Sequence, residues 1–217
     1  MNMTNDADLI DYYAETHKSR VYGTSSVKNL RFLRPEISVL HPSSILDYGC
    51  GQSIFLDCLN LGYDVDLHRF DPAISAYATL PPEKVDLLIS IDVLEHIEDA
   101  ELDRAISAMR AACHHALIVV DTNAANHTLP DGRNAHVSQH NKDWWRERLS
   151  RHFDHLEPVR AARRSRAALR TWPRSPAQSV SFHGLRLREN AVHYARRLVG
   201  KHKQHWKVSS TGQAKPD

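Results

Sequence analysis

Three carboxylates and two imidazoles in this chain sit where the local pattern gives them chemistry to perform. Asp47 closes the apolar run Ser44–Leu46 and is followed by Gly49 and Gly51, one residue apart. An amphipathic segment, Ser53 to Leu61, comes next, so the expected order is strand, tight turn, helix. Glycine suits such a turn because it tolerates positive φ and lets the backbone approach a ligand closely. A helix start beyond it offers free backbone N–H groups. Asp47, at the carboxyl end of the strand, can accept hydrogen bonds from an amine or a hydroxyl. Asp71 closes a second strand-like stretch, Tyr63 to Phe70, 20 residues beyond Gly51. An acid in that place can take both hydroxyls of a ribose, in the crevice where open α/β sheets bind ligands. Asp92 follows a third apolar run, Val85–Ile91, and leads into Val93-Leu94-Glu95-His96.

Asp92, His96, His136 and His140 are candidate bases, because an imidazole exchanges protons near neutral pH. His96 has an alternative role as a hydrogen-bonding residue that fixes its own turn. His127, Asp131, His136 and His140 suggest a divalent metal, but they lie on a loop without helical spacing, and no metal is expected. Cys50 occupies the variable position of the glycine turn and is expected to contribute its backbone rather than a reactive thiol.

Elements that would position these residues can be read from periodicity. Asp6–His17 and Val27–Leu40 read as helices preceding the first strand, the second bent near Pro35. Val85–Ile91 is nearly continuous apolar residue, as a central parallel strand should be. Ala100–Ala112 reads as a helix, Ala116–Val120 as a strand closed by Asp121, and Thr122–Gln139 as a long loop. Loops of that length inside a compact domain are usually functional or disordered. Asn141 can cap a helix from Lys142 to Phe153. Phe153–Arg160 and Arg166–Trp172 suit an antiparallel hairpin, Ser175–Gly184 a connector, and Leu185–Trp206 a basic helix, with a polar end from Val208 expected to be disordered. The expected division is 1–43 as a helical lid, 44–174 as the core, and 175–217 as a basic helix and tail.

The 217 residues suit one α/β domain, and the 41% apolar share is enough for a core. No apolar run approaches the ~18 residues of a membrane span. The polar, acidic start does not read as a signal peptide. Three cysteines without metal-type spacing suggest reduced thiols and a cytoplasmic protein. The net charge of +2 hides an asymmetry: from Leu156 onward there are 14 basic and 3 acidic residues, net +11, and the remainder is net −9. A basic end of this kind could bind an anionic partner, or could equally pack on its own acidic body.

Leu46–Gly51, "LDYGCG", resembles the first motif of the class I S-adenosylmethionine-dependent methyltransferases, with Ser53 in place of that motif's usual third glycine. Asp86–Asp99, "DLLISIDVLEHIED", is similar to the turn after the family's fourth strand. Gly132–Trp145, "GRNAHVSQHNKDWW", resembles a pocket-mouth segment of small bacterial members. The resemblance implies a Rossmann-like, mostly parallel sheet with a C-terminal antiparallel hairpin. The third strand should be missing or short, because Pro72–Lys84 leaves no room for it. It implies S-adenosyl-L-methionine as cofactor, held by Asp47, Gly49, Cys50, Gly51, Asp71, Asp92 and Val93, with Tyr22 in the lid. From their chemistry and place, Asp92, His96 and His136 are expected to serve catalysis, and Arg133, Asn134 and His136, on the long loop that leaves the strand closed by Asp121, to bind the acceptor. That acceptor is expected to be a small molecule or a sugar or glycan, methylated at oxygen. An RNA- or protein-directed methyltransferase using the basic tail, or a non-catalytic protein keeping the cofactor fold, are the alternatives. No Asn-Pro-Pro-Tyr-type motif follows the fourth strand, which disfavours amino methylation of a flipped base.

Overall fold

The computed structural model describes residues 6–19 and 25–199, together with the backbone of 207–208 and 214–215. Tyr22, the expected lid residue, and the expected helix beyond Val199 lie outside the described residues. The chain begins with helix α1 (Asp6–Ser19), then a 3-10 turn and helix α2 (Leu30–Leu40), which runs through Pro35 without a break. Strands β1 (Ser44–Tyr48), β2 (Asp66–Phe70) and β3 (Val85–Ile91) follow. Helix α3 (Leu102–Ala112) leads to β4 (Cys113–Asp121), and α4 (Lys142–Ser150) to β5 (Glu157–Pro158) and β6 (Arg166–Arg170). Helix α5 (Pro176–Leu198) comes last of the long elements. Among the described residues no helix is long and apolar enough to cross a membrane.

The sheet order is β2-β1-β3-β4-β6-β5. The first four strands are parallel, and β6 and β5 join antiparallel. This is the expected mostly parallel sheet with an antiparallel end. Pro72–Lys84 holds one 3-10 turn and no strand, so β2 is the sheet's edge, also as expected. Successive strand residues point to opposite faces, and the core divides accordingly. Leu46, Leu88, Ile118 and Leu169 pack with Ile106, Met109, Trp145 and Leu149 of α3 and α4. Ile45, Leu87, Ile89 and Leu117 pack on the other side with Leu33 and Ile37 of α2 and with Phe55. Of the N-terminal 43 residues, α2 is therefore a core layer, while α1 lies elsewhere, over the cavity described below.

Two expectations are corrected. Ser53–Leu61 is a run of turns, not a helix. Ile54, Phe55, Leu56, Cys58 and Leu59 are all buried. A surface helix buries one stripe, whereas this segment sends nearly every apolar side chain inward. Ser175–Gly184 is not a connector but the first part of α5. Ser175 Oγ accepts from the Gln178 amide (3.2 Å) and Gln178 Oε1 accepts from the Ser175 amide (2.9 Å), a reciprocal cap with Pro176 at the first helical position. That cap outweighs the helix-weakening Gly184.

A buried ionic cluster ties α2 to β5, β6 and the link between β6 and α5. Glu36, 2% exposed, meets Arg174 (3.0 Å) and Arg170 (3.7 Å), and Arg170 also reaches Glu157. Burial raises the Glu36 carboxyl above its ordinary range against the pull of both arginines. Removing one member of such a cluster strands the others. Glu36→Ala is expected to lower the unfolding free energy by about 3 kcal/mol in urea titrations; a loss below about 1 kcal/mol would show that α2 is held by its apolar face alone.

Candidate functional site

The loops at the carboxyl ends of β1, β2, β3 and β4, roofed by α1, enclose a cavity of about 710 Å³. Asp47, Gly49, Cys50, Gly51, Asp71, Asp92, Val93, His96 and His136 all line it. The glycine turn is fastened to the end of β2: the Gly49 and Cys50 amides both donate to the Phe70 carbonyl (2.7 and 3.1 Å). The Gly51 amide donates to Asp71 Oδ2 (2.7 Å) and the Ala73 amide to Asp71 Oδ1 (2.9 Å). Asp71 thus holds the turn, and each carboxylate oxygen keeps a second lone pair for a ligand. Gly49 (φ 73°) and Gly51 (φ 49°) take the left-handed backbone that glycine allows. A Cβ on Gly49 would stand 2.5 Å from a methyl of Val93, so the β1 and β3 turns close on each other only because that position is bare.

Asp47 is 4% exposed, and its Oδ2 has no hydrogen-bond partner. Burial pushes its carboxyl up to about 7, aided by Asp71 and Asp57 and opposed by Arg69. An orphaned buried acceptor on a cavity wall fits a ligand's amine or hydroxyl. Burial, with Asp47 and Asp71 nearby, pushes the Cys50 thiol far up, so it stays protonated and offers no nucleophile.

Asp92 adopts a positive φ (57°), unusual for a residue with a side chain. Its Oδ2 accepts from Arg166 (2.5 Å) and from the Ser25 hydroxyl (3.1 Å). Burial raises its carboxyl, partly offset by Arg166. Glu95, fully buried, accepts the Asp121 amide on Oε1 (2.9 Å), bridging the β3 turn to the end of β4. Burial, with Asp92 nearby, raises its carboxyl well above the ordinary value.

The imidazoles come from two directions. His96 Nδ1–H donates to the Ala135 carbonyl (2.9 Å) and shares that proton with the Tyr13 hydroxyl oxygen of α1 (2.8 Å). His136 Nδ1–H donates to the Asn123 carbonyl (2.5 Å). A carbonyl only accepts, so each Nδ1 carries a hydrogen and each Nε2 is left without a main-chain partner. The rings meet edge to face with centroids 4.8 Å apart. Burial and His136 lower the His96 pKa to about 4, leaving it neutral.

Arg133 and Asn134 do not line the cavity. Arg133 bonds Glu98 (2.6 Å) and Asp131 (2.8 Å) on the outer side of the loop. Asn134 stitches the loop, with Oδ1 accepting from the Ala125 and His136 amides and Nδ2 donating to the Ala125 carbonyl. The four residues first considered for a metal are not gathered: Asp131 holds Arg133, and His140 bonds Asp99 (2.8 Å) while stacking on Trp144. Sequence reasoning missed Tyr13, His17, Ser25, Asp121, Arg163 and Arg166 as wall residues. The signal for Arg166 was its place opposite Asp121 in the β4–β6 register, which only the folded sheet reveals.

No family model and no curated protein matches the sequence. Solved structures do match in fold. One is a complex of DhpI with SAH, at 16% identity and a TM-score of 0.50, covering 77% of this chain and 98% of that one. Another is an O-methyltransferase family protein from Burkholderia thailandensis, at 12% identity and 0.52, covering 79% of this chain and 61% of that one. A third is PigF with SAH, at 11% identity and 0.52, covering 78% and 62%. At these identities what is shared is the fold, and it is the Rossmann-like methyltransferase fold that the motifs implied.

Gly49→Ala is expected to lower the unfolding free energy by about 1–3 kcal/mol, because it adds a Cβ at positive φ against Val93. Val93→Ala should recover part of that loss, with a coupling of at least about 0.5 kcal/mol in the double mutant. Strictly additive losses would show that Val93 is not what requires the bare position.

Proposed function

We propose that this chain is an S-adenosylmethionine-dependent methyltransferase that methylates a hydroxyl of a small-molecule or sugar acceptor. The observation that carries the reading is the convergence of Asp47, Gly49–Gly51, Asp71, Asp92 and Val93 on one cavity at the carboxyl ends of a parallel sheet. The fold is shared with structures solved with SAH, the product left when S-adenosylmethionine gives up its methyl group. When bound, the cofactor supplies an electrophilic methyl on a sulfonium.

The chain's own residues then have three tasks. Asp47, Asp71 and the glycine turn bind and orient: the orphaned Asp47 oxygen accepts from the cofactor's ammonium, and the second lone pairs of Asp71 accept the ribose hydroxyls. Helix α1 excludes water, through Leu9, Ile10, Tyr13 and His17 on the cavity wall. His96 and His136 line the acceptor end of the cavity, and positioning the hydroxyl in line with the methyl supplies much of the rate. A cavity of about 710 Å³ falls in the range of small-molecule sites, about 300–1,000 Å³, which favours a small acceptor. The name of one fold relative, an O-methyltransferase family protein, supports oxygen as the acceptor atom.

Asp71→Ala is expected to weaken SAH at least about tenfold in calorimetric titration; unchanged affinity would remove the ribose assignment. No SAH binding to the wild-type chain would favour the non-catalytic alternative. A pH series tests Asp47. Its carboxyl is held up at about 7 in the folded chain, so the ionised form that an ammonium needs grows as pH rises. SAH affinity should therefore increase from about pH 6 to about pH 8 and then level off, and Asp47→Asn should flatten the curve. A flat wild-type curve would sink the pairing.

A further inference from the structure

We propose that Glu95, His96 and His136 form a binding site for one divalent transition-metal ion at the acceptor end of the cavity. One donor atom from each of the three lies within 4.8 Å of the others, and no other such trio occurs among the described residues. The donor set, two imidazoles and one carboxylate, suits zinc and the neighbouring first-row metals.

Three features point to a ligand here. Glu95 is fully buried, and its Oε2 has no hydrogen-bond partner, while Oε1 is pinned by the Asp121 amide. A buried carboxylate oxygen left bare is costly unless something cationic or protic meets it. His96 and His136 each give their Nδ1–H to a main-chain carbonyl, Ala135 and Asn123. That is the outer hydrogen bond by which metal-bound histidines are oriented, and it reserves Nε2 for the ion. His96 and His136 also line the cavity, so the open coordination positions of a three-ligand ion would face the acceptor. Ligands around one zinc ion sit about 2.0–2.2 Å from it, so side-chain shifts of about an ångström would complete the site.

The chemistry deepens the methyltransferase reading and rests on it: an acceptor hydroxyl bound to the ion would give its proton to water more readily, and its oxygen would bond to the methyl carbon as the carbon–sulfur bond breaks, the electron pair returning to sulfur and SAH leaving. Metal binding itself does not rest on that reading, and the test separates the two. The full chain, stripped with a chelator, is titrated with Zn²⁺ by calorimetry and with Co²⁺ by visible absorption, with and without SAH. The expected result is one ion per chain, with an intense Co²⁺ spectrum that Zn²⁺ displaces. Glu95→Gln keeps the acceptor for the Asp121 amide, and His136→Asn keeps the donor to the Asn123 carbonyl. Each should nevertheless weaken Zn²⁺ at least tenfold, with thermal melts confirming the fold. His140→Asn, at the histidine paired with Asp99 outside the cavity, should leave Zn²⁺ binding unchanged. No binding by the wild type, or equal binding by Glu95→Gln and His136→Asn, overturns the metal site even where SAH still binds. Zinc binding that survives without any SAH binding keeps the metal site and removes the methyltransferase reading.

Discussion

Gly49 has no side chain, and Val93 stands where one would be. This close approach lets the turn after β1 and the turn after β3 share a wall. Asp47 and Asp71 on one side then face Asp92, His96 and His136 on the other across a single cavity. The Phe70 carbonyl, taking two amides of the glycine turn, adds the end of β2 to the same assembly. Once three strand ends are fixed in this way, the side chains on them have little freedom left. The cavity is thus a property of the sheet's carboxyl edge, and α1 serves as its roof.

Charge inside this wall is arranged in opposed pairs with a remainder. Arg166 answers Asp92, and its Nε stands 3.9 Å from Asp121. Asp47 and Glu95 have no cation in contact, and burial holds both above the usual carboxylate range. A folded chain keeps such groups at a cost, and binding sites are where that cost is usually met. The two uncompensated carboxylates are set apart, Asp47 on the cavity wall in the β1 turn and Glu95 buried beside the imidazoles that line it. Each is a separate place for positive charge.

Residues contributed by local sequence were legible. Asp47, the glycines, Asp71 and Asp92 each close an apolar run, and that pattern alone placed them at strand ends. Asn141 was legible as a helix cap for the same local reason, and its side chain accepts the Trp144 amide. What escaped was tertiary. Tyr13 reaches His96 across 83 positions and Arg166 reaches Asp92 across 74, distances over which periodicity carries no information. Arg133 and Asn134 looked like acceptor ligands because they are polar and lie on a long loop. The fold uses that polarity to brace the loop, within itself and against Glu98. The expected helix at Ser53–Leu61 failed because its apolar residues are too many for one stripe.

Because the sheet stops at β2 among the described residues, one row of its main-chain N–H and C=O groups has no partner strand there. Such a row is a template onto which another chain can zip. This border is short, five residues, and carries Asp66, His68 and Arg69, the last held by Asp57 at 2.8 Å. Leu67 is its one large apolar side chain facing outward, at 43% exposure. With β2 at the border, five residues guard the row, and the charges of Asp66 and Arg69 discourage a second molecule from adding itself to it.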